Sequence, residues 1–195
     1  MKSTKAPKAA RTAAIVVGVV LVIFIALLAT RKPNEQRFGP NPQVGKPVPA
    51  VVGTSLTGQK FDIDQLRGQW VVVNFFATWC VGCRVEHPEL VKFSNEHDRL
   101  GDATVVSVAF QDQPAALKDF FEKNGGSWPV LAGETGKIAI DFGVTGIPES
   151  FVVAPNGLVV AHFEGVDAAT LDAVMATYSD GSTSGSTNGT RGPVS

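Results

Sequence analysis

Sulfur is scarce in this chain. Among 195 residues there are two cysteines, Cys80 and Cys83, and two methionines. No cysteine is spare for a framework of structural disulfides, so stability has to come from a buried core. A four-cysteine zinc site is excluded as well, because there is no second pair. An excess of charge of one sign is also lacking. There are 17 Lys and Arg against 18 Asp and Glu, a formal net charge of −1. Basic residues cluster only at the N-terminus, so the sequence carries no nucleic-acid footprint. No internal repeat is evident.

Charge is missing altogether from one segment. Residues 1–11 carry Lys2, Lys5, Lys8 and Arg11 and no acid, and Thr12 to Thr30 has no charged residue. As a helix, 12–30 would span roughly 28 Å, about one hydrocarbon core. The alternative is a cleaved secretory signal, but Leu27 and Leu28 stand where a small-x-small cleavage site needs small residues. The expectation is a short cytoplasmic arm at 1–11 and an uncleaved signal-anchor at 12–30. The catalytic domain then lies outside the cytoplasmic membrane. Arg31, Lys32 and Arg37 on the far side make the orientation bias slight. Residues 31–43 open a proline-rich stretch that continues to Pro49 and reads as an extended linker. Residues 179–195 are mostly Ser, Gly and Thr and read as a disordered tail. Asn188-Gly189-Thr190 matches a glycosylation acceptor by chance composition.

Residues 44–178 remain for the folded domain, long enough for one real core. Val51-Val52 and Lys60-Phe61 flank Thr57-Gly58 and predict an N-terminal β-hairpin. Trp70 to Phe76 is apolar on both faces except at Asn74, as a central strand should be. Cys80 to about Leu100 reads as a helix with Val85, Leu90 and Phe93 inward and a kink at Pro88. Ala103–Phe110 reads as a second buried strand. Pro114–Asn124 reads as a helix, with Leu117, Phe120 and Phe121 on its inner face. Trp128–Leu131 reads as a short strand and Glu134–Phe142 as a helix stopped by Gly143. The strand Ser150–Ala154 turns at Asn156-Gly157 into Leu158–Phe163. Asp167 caps a last helix facing inward through Leu171, Val174, Met175 and Tyr178. The expected fold class is α/β, a mixed central sheet flanked by helices, preceded by the hairpin.

The chemistry centres on Trp79-Cys80-Val81-Gly82-Cys83. A buried strand delivers this pair to the start of a helix. Cysteines three apart on a first helical turn share a face and can form a disulfide. The helix amino terminus favours negative charge, so Cys80 should ionise more easily than a free thiol. A zinc or other metal set of Cys80, Cys83 and His87 is the competing reading, since Cys83 and His87 share a helix face. His162, alternating with Leu158 and Val160, reads as structural, and His97 as a solvated helix residue. Glu86 on composition alone is a solvated helix residue too, and Trp79 could be core packing.

The segment Val73-Asn74-Phe75-Phe76-Ala77-Thr78-Trp79-Cys80-Val81-Gly82-Cys83-Arg84-Val85-Glu86-His87 resembles the active-site strand and helix of thioredoxin-fold proteins. More narrowly it resembles the membrane-anchored thiol:disulfide oxidoreductases of cytochrome c maturation, the CcmG/DsbE, ResA and TlpA group. Gly143-Val144-Thr145-Gly146-Ile147-Pro148-Glu149-Ser150-Phe151 is similar to that group's second signature. The resemblance implies a thioredoxin-like fold over 44–178, with Cys80 as attacking thiolate and Cys83 as resolving thiol. It implies a cis Pro148 facing them, Ile147 exposing its backbone to a client strand, and Glu86 and Glu149 near the active site. Trp79 would shield the disulfide. A carboxylate near Cys80 raises the thiolate's pKa and makes the couple more reducing, so Glu86 and Glu149 are expected to tune the site toward donating electrons. Asn74 departs from cytosolic thioredoxins, which resemble this stretch but place a buried acid there, and Glu86 is the candidate substitute.

The implied activity is a protein thiol:disulfide oxidoreductase with no cofactor beyond the redox-active Cys80–Cys83 disulfide. Implied partners are client proteins, apocytochrome c among them, and a membrane electron donor of the CcdA/DsbD type. Two rivals stand beside it: a disulfide-forming oxidase for exported proteins, and a chaperone holding Cu(I) on Cys80 and Cys83.

Overall fold

The computed structural model describes residues 17–22 and 41–183. The chain divides into two units, Met1–Gly39 and Pro40–Ser195. In the first, residues 17–22 are helical and exposed. No helix among the described residues is long and apolar enough to cross a membrane, and most of the span expected over 12–30 lies outside them.

The second unit holds a five-stranded mixed sheet in the order β5-β4-β3-β6-β7. These strands are β3 (Trp70–Phe76), β4 (Ala103–Ala109), β5 (Val130–Leu131), β6 (Glu149–Val153) and β7 (Val159–Phe163). β3 lies at the centre, parallel to β4 and antiparallel to β6, and every one of its residues is buried. That burial on both faces is why its sequence runs apolar without alternation. β1 (Val52–Thr54) and β2 (Lys60–Asp62) pair as the expected hairpin, in a separate two-stranded sheet.

The N-terminal stretch pairs with the start of one sheet edge, β7, and with the other edge, β5. Gly45 N–H donates to the Val159 carbonyl and Val48 N–H to that of Gly157, along β7. Leu56 N–H donates to the Val130 carbonyl, along β5. Open edges invite pairing with other chains, and these contacts occupy part of each. Residues 41–43, expected in the linker, are tied to the domain instead. Residues 31–40 lie outside the described residues, but Asn41 Nδ2 donates to the Phe142 carbonyl and Gln43 Nε2 to that of Asp141.

The two sides of the sheet carry separate cores. One packs β3 residues Trp70, Val72 and Phe76 against Leu90, Phe93, Leu117 and Leu171 from the helices. These are helices α1 (Val81–Leu100), α2 (Pro114–Asn124) and α4 (Ala168–Thr183). The other packs Val71, Val73 and Phe75 against Phe151 and against α3 (Gly136–Phe142). There Phe75, Phe142 and Phe151 meet edge to face with centroids 4.9–5.8 Å apart. Each such pair contributes about 0.5–1.5 kcal/mol beyond the area it buries.

Helix α1 corrects three expectations. Its buried residues are Cys83, Glu86, His87, Leu90, Phe93, Ser94 and His97, while Val85 is 73% exposed. At 100° per residue, Val85 and Leu90 sit roughly 140° apart and cannot share a face. Glu86 takes the inward place that hydrophobicity assigned to Val85. His97 is also inward, its ring nitrogens 2.7 Å from Asp102 Oδ1 and 3.0 Å from Asp172 Oδ1. Helix α4 begins as expected, with Thr170 N–H donating to Asp167 Oδ1 at 2.7 Å. It then runs to Thr183, past the expected boundary at 178, where Ser179 Oγ donates back to the Met175 carbonyl. Residues 184–195 of the expected tail, with the Asn188 motif, lie outside the described residues.

Candidate active site

The site forms where the carboxyl end of β3 meets the start of α1. Cys80 is the N-cap of that helix, and its Sγ accepts the Cys83 N–H at 3.1 Å. A free amide of the first turn is thus aimed at this sulfur, an arrangement that favours a thiolate there. Cys80 and Cys83 form a disulfide with Cα atoms 5.3 Å apart. Trp79 is 59% exposed beside it. Its indole N–H reaches the Gln111 carbonyl at 3.4 Å, and Thr78 N–H donates to Asp112 Oδ2 at 2.6 Å. The loop after β4 therefore holds the turn that presents the cysteines, and the exposed indole makes a rim for them instead of a core contact.

Pro148 faces the pair, and the Ile147–Pro148 peptide bond is cis. The Ile147 carbonyl oxygen lies 3.6 Å from Cys80 Sγ. In the disulfide that sulfur has no proton to donate, whereas a Cys80 thiol would find its acceptor already in place. Gly82 permits this approach: a Cβ there would come within 3.1 Å of Pro148 Cδ.

Beneath the cysteines lies a buried polar cluster. Asn74 Nδ2 donates to Glu86 Oε2 at 2.9 Å and to Ser150 Oγ at 3.0 Å. Glu86 Oε1 accepts Ser150 Oγ and the Val166 N–H, both at 3.1 Å. Burial pushes the Glu86 carboxyl above its ordinary pKa and outweighs the hydrogen bonds from Ser150, Asn74 and Val166 that oppose it. Glu86 follows Cys83 by three positions on the buried face of α1.

The structure separates the two glutamates that the sequence groups together. Ser150 joins Glu86 on the α1 side of the sheet. Its neighbour Glu149 must point the other way, because successive strand residues face opposite sides. Glu149 Oε1 accepts the Thr145 N–H at 2.8 Å, the Thr145 hydroxyl at 3.1 Å and the Gly146 N–H at 2.8 Å. Its Oε2 lies 2.9 Å from His162 Nε2. Burial works to raise this carboxyl, but the hydrogen bonds from His162, Thr145 and Gly146 prevail and hold it below its ordinary pKa.

His162 reaches Glu149 through an irregularity that periodicity could not foresee. The β6–β7 register shifts between Val152 and Val153, leaving Val160 as an extra residue in β7. A bulge of this kind inverts the alternation beyond it. Val160 packs in the α1-side core, whereas the His162 ring lies 4.6 Å from Phe151 on the α3 side. His87, the third member of the alternative metal set, sits among aromatics, with ring centroids 4.7, 5.2 and 5.5 Å from Phe120, Phe121 and Trp128. Its Nε2 bonds the Gly125 carbonyl at 3.0 Å, and burial lowers its pKa. Among the described residues, no three His, Cys, Asp or Glu side chains converge to hold a metal ion.

Ser150, the Val166 amide, Asp112 and the Gln111 carbonyl are parts of the site that sequence reasoning missed. Ser150 alone left a signal, a hydroxyl in a strand that is otherwise wholly apolar after Glu149.

The chain is similar to known proteins in sequence and in fold. The Redoxin family model matches residues 43–177. The thiol:disulfide interchange protein HelX of Rhodobacter capsulatus is 32% identical over 135 residues, 68% of this chain and 74% of that protein. The thiol-disulfide oxidoreductase ResA of Bacillus thuringiensis is 31% identical over 123 residues, 63% of this chain and 70% of that one. The crystal structure of a thiol:disulfide interchange protein from Chlorobium tepidum superposes with a TM-score of 0.61 at 28% identity. It covers 73% of this chain and 98% of that one. With a thioredoxin-like fold and a Cys-x-x-Cys disulfide at the head of α1, the chain belongs to the Redoxin family, as a thiol-disulfide oxidoreductase of the DsbE/ResA type.

Proposed function

We propose that this protein reduces disulfides in client proteins outside the cytoplasmic membrane, with apocytochrome c before haem attachment as a client. The observation that carries the reducing direction is Glu86. It is a buried carboxyl with a raised pKa on the same helix face as Cys83, and a proton acceptor in that place helps the resolving thiol to attack. Its negative charge, once formed, opposes the helix terminus and disfavours the thiolate, which makes the reduced form less stable and the couple more reducing.

In the cycle, the Cys80 thiolate attacks one sulfur of the client disulfide. A mixed disulfide forms, and the other client sulfur leaves as a thiolate. Cys83 gives up its proton and attacks Cys80 Sγ, releasing the second client thiolate and closing the Cys80–Cys83 bond. Trp79 and the Ile147 backbone flank the incoming chain. A membrane electron donor of the CcdA/DsbD type restores the dithiol. The uncharged stretch 12–30 behind a basic N-terminus supports anchoring, with the catalytic domain outside.

The reduction potential of Cys80–Cys83 against glutathione tests the direction. A strongly negative value, near the reducing end of about −270 mV, is expected, and one near about −120 mV would mark an oxidant instead. A Cys83→Ser variant should accumulate client proteins bound to Cys80.

A further inference from the structure

Glu149 is a charged group sealed from water at 2% exposure, on the sheet face away from Glu86, and the exchange steps above make no use of it. Its contacts show what it holds. Oε1 gathers three donors, all from Thr145 and Gly146, the two residues before Ile147. Oε2 is met by His162, which β7 supplies across the sheet. An ionised carboxylate only accepts, so His162 Nε2 carries the proton between them. The segment 145–148 is therefore tied to the first residue of β6 by a side chain, and that side chain is tied to β7. The tied segment carries the Ile147 carbonyl, 3.6 Å from Cys80 Sγ, and the Pro148 ring packed over Gly82.

We propose that Glu149 and His162 act as a pair of positioning residues that set the Ile147 backbone beside Cys80 for an extended polypeptide client. The pair touches neither sulfur. Its effect falls on clients that align along the Ile147 backbone, and a small dithiol, which needs only the sulfur, is indifferent to it. The inference rests on thiol:disulfide exchange and not on its direction, so a potential that overturned the reductase reading would leave it standing.

The test uses the full chain, an extended peptide with one internal disulfide, and dithiothreitol as the small thiol. The amide nitrogen of Gln occupies the place of His Nε2, whereas that of Asn falls short. His162→Asn should lower kcat/KM for the peptide about tenfold, chiefly through KM, the effect of losing a hydrogen bond to a charged group. Its rate with dithiothreitol should stay within about twofold of the parent, as should both rates of His162→Gln. Amide exchange at Thr145 and Gly146 should quicken in His162→Asn and not in His162→Gln. Thr145→Val, at an exposed loop position, removes one donor without touching β7 and should lower peptide exchange about threefold, again with dithiothreitol unaffected. Full peptide activity in His162→Asn or Thr145→Val, parallel losses with peptide and dithiothreitol, or failure of Gln to rescue would each overturn the proposal.

Discussion

Glu86 and Glu149 stand on opposite faces of one sheet, at 5% and 2% exposure, and their pKa values move in opposite directions. Both are hydrogen-bonded, so burial and satisfied oxygens do not by themselves decide a charge. Glu86 accepts from Asn74, Ser150 and one backbone amide, all neutral, and has more protein packed around it. Glu149 accepts from two backbone amides, a hydroxyl and a histidine ring nitrogen, one donor more than Glu86 has. The hydrogen bonds, that of His162 foremost, tip the balance on one side, and desolvation wins on the other. The α1 side thus keeps a carboxyl able to exchange a proton, and the α3 side keeps a fixed anion as a tether.

The most forceful way to break this contrast is to delete each carboxyl. Glu149→Leu leaves two backbone amides and the partly buried His162 ring without their shared acceptor, and should lower unfolding free energy by about 3 kcal/mol. Glu86→Leu leaves the Val166 N–H unpaired, but Asn74 and Ser150 keep their bond to each other and the carboxyl removed is one whose desolvation already opposes folding, so a loss of about 1 kcal/mol is expected. Urea unfolding midpoints at pH 7 compare the two, and equal losses would mean that the two sites are energetically alike.

Acid titration sharpens it with opposite slopes. Glu149 is lowered from 4.5 by folding, so the stability it contributes is present above pH 4.5 and lost as pH falls through its folded value. Glu86 is raised from 4.5, so its contribution is greatest below pH 4.5 and declines as pH rises through its folded value. The difference in stability between the parent and each Glu→Gln variant, followed from pH 3 to 8, should tilt one way for Glu149 and the other for Glu86. Parallel curves would remove the contrast.

Part of this was legible in the sequence. The Trp70–Phe76 strand and the Pro114–Asn124 helix have the expected bounds, since an unbroken apolar run and an N-terminal proline are local signals. The cysteine pair was legible for the same reason. What periodicity hid was orientation. Val85 looked like a core residue and Glu86 like a surface one, because a cluster joining Asn74, Glu86 and Ser150 is assembled from three elements far apart in sequence. His162 falls out of the expected alternation with Val160 because a single extra residue in β7 leaves no mark in composition.

A smaller effect should appear in the thiol itself. Glu86 lies on the same face of α1 as Cys83, whereas Glu149 lies across the sheet. Glu86→Gln removes a negative charge from beneath the helix terminus, so the Cys80 pKa should fall and its alkylation by iodoacetamide at pH 7 should quicken roughly threefold. Glu149→Gln should leave that rate unchanged. Equal acceleration in both variants would show that Cys80 senses total charge and not the side of the sheet.

The smallest effect belongs to His97, which tests whether the contrast extends down α1. It lies on the Glu86 side of the sheet but, like Glu149, has polar partners that outweigh burial, here Asp102 and Asp172. Burial alone would lower its pKa, yet the hydrogen bonds and charges of these two carboxylates raise it above 6.5. A raised histidine stabilises the fold fully below pH 6.5, and that contribution disappears as pH climbs through the folded value. Both aspartates are nearly half exposed, so solvent screening limits the effect to about 0.5–1 kcal/mol. The parent should therefore exceed His97→Gln most at pH 6, less at pH 8, and less again in 1 M salt. A difference independent of pH and salt would make His97 a packing residue, and would confine the rule that polar partners override burial to the neighbourhood of Glu149.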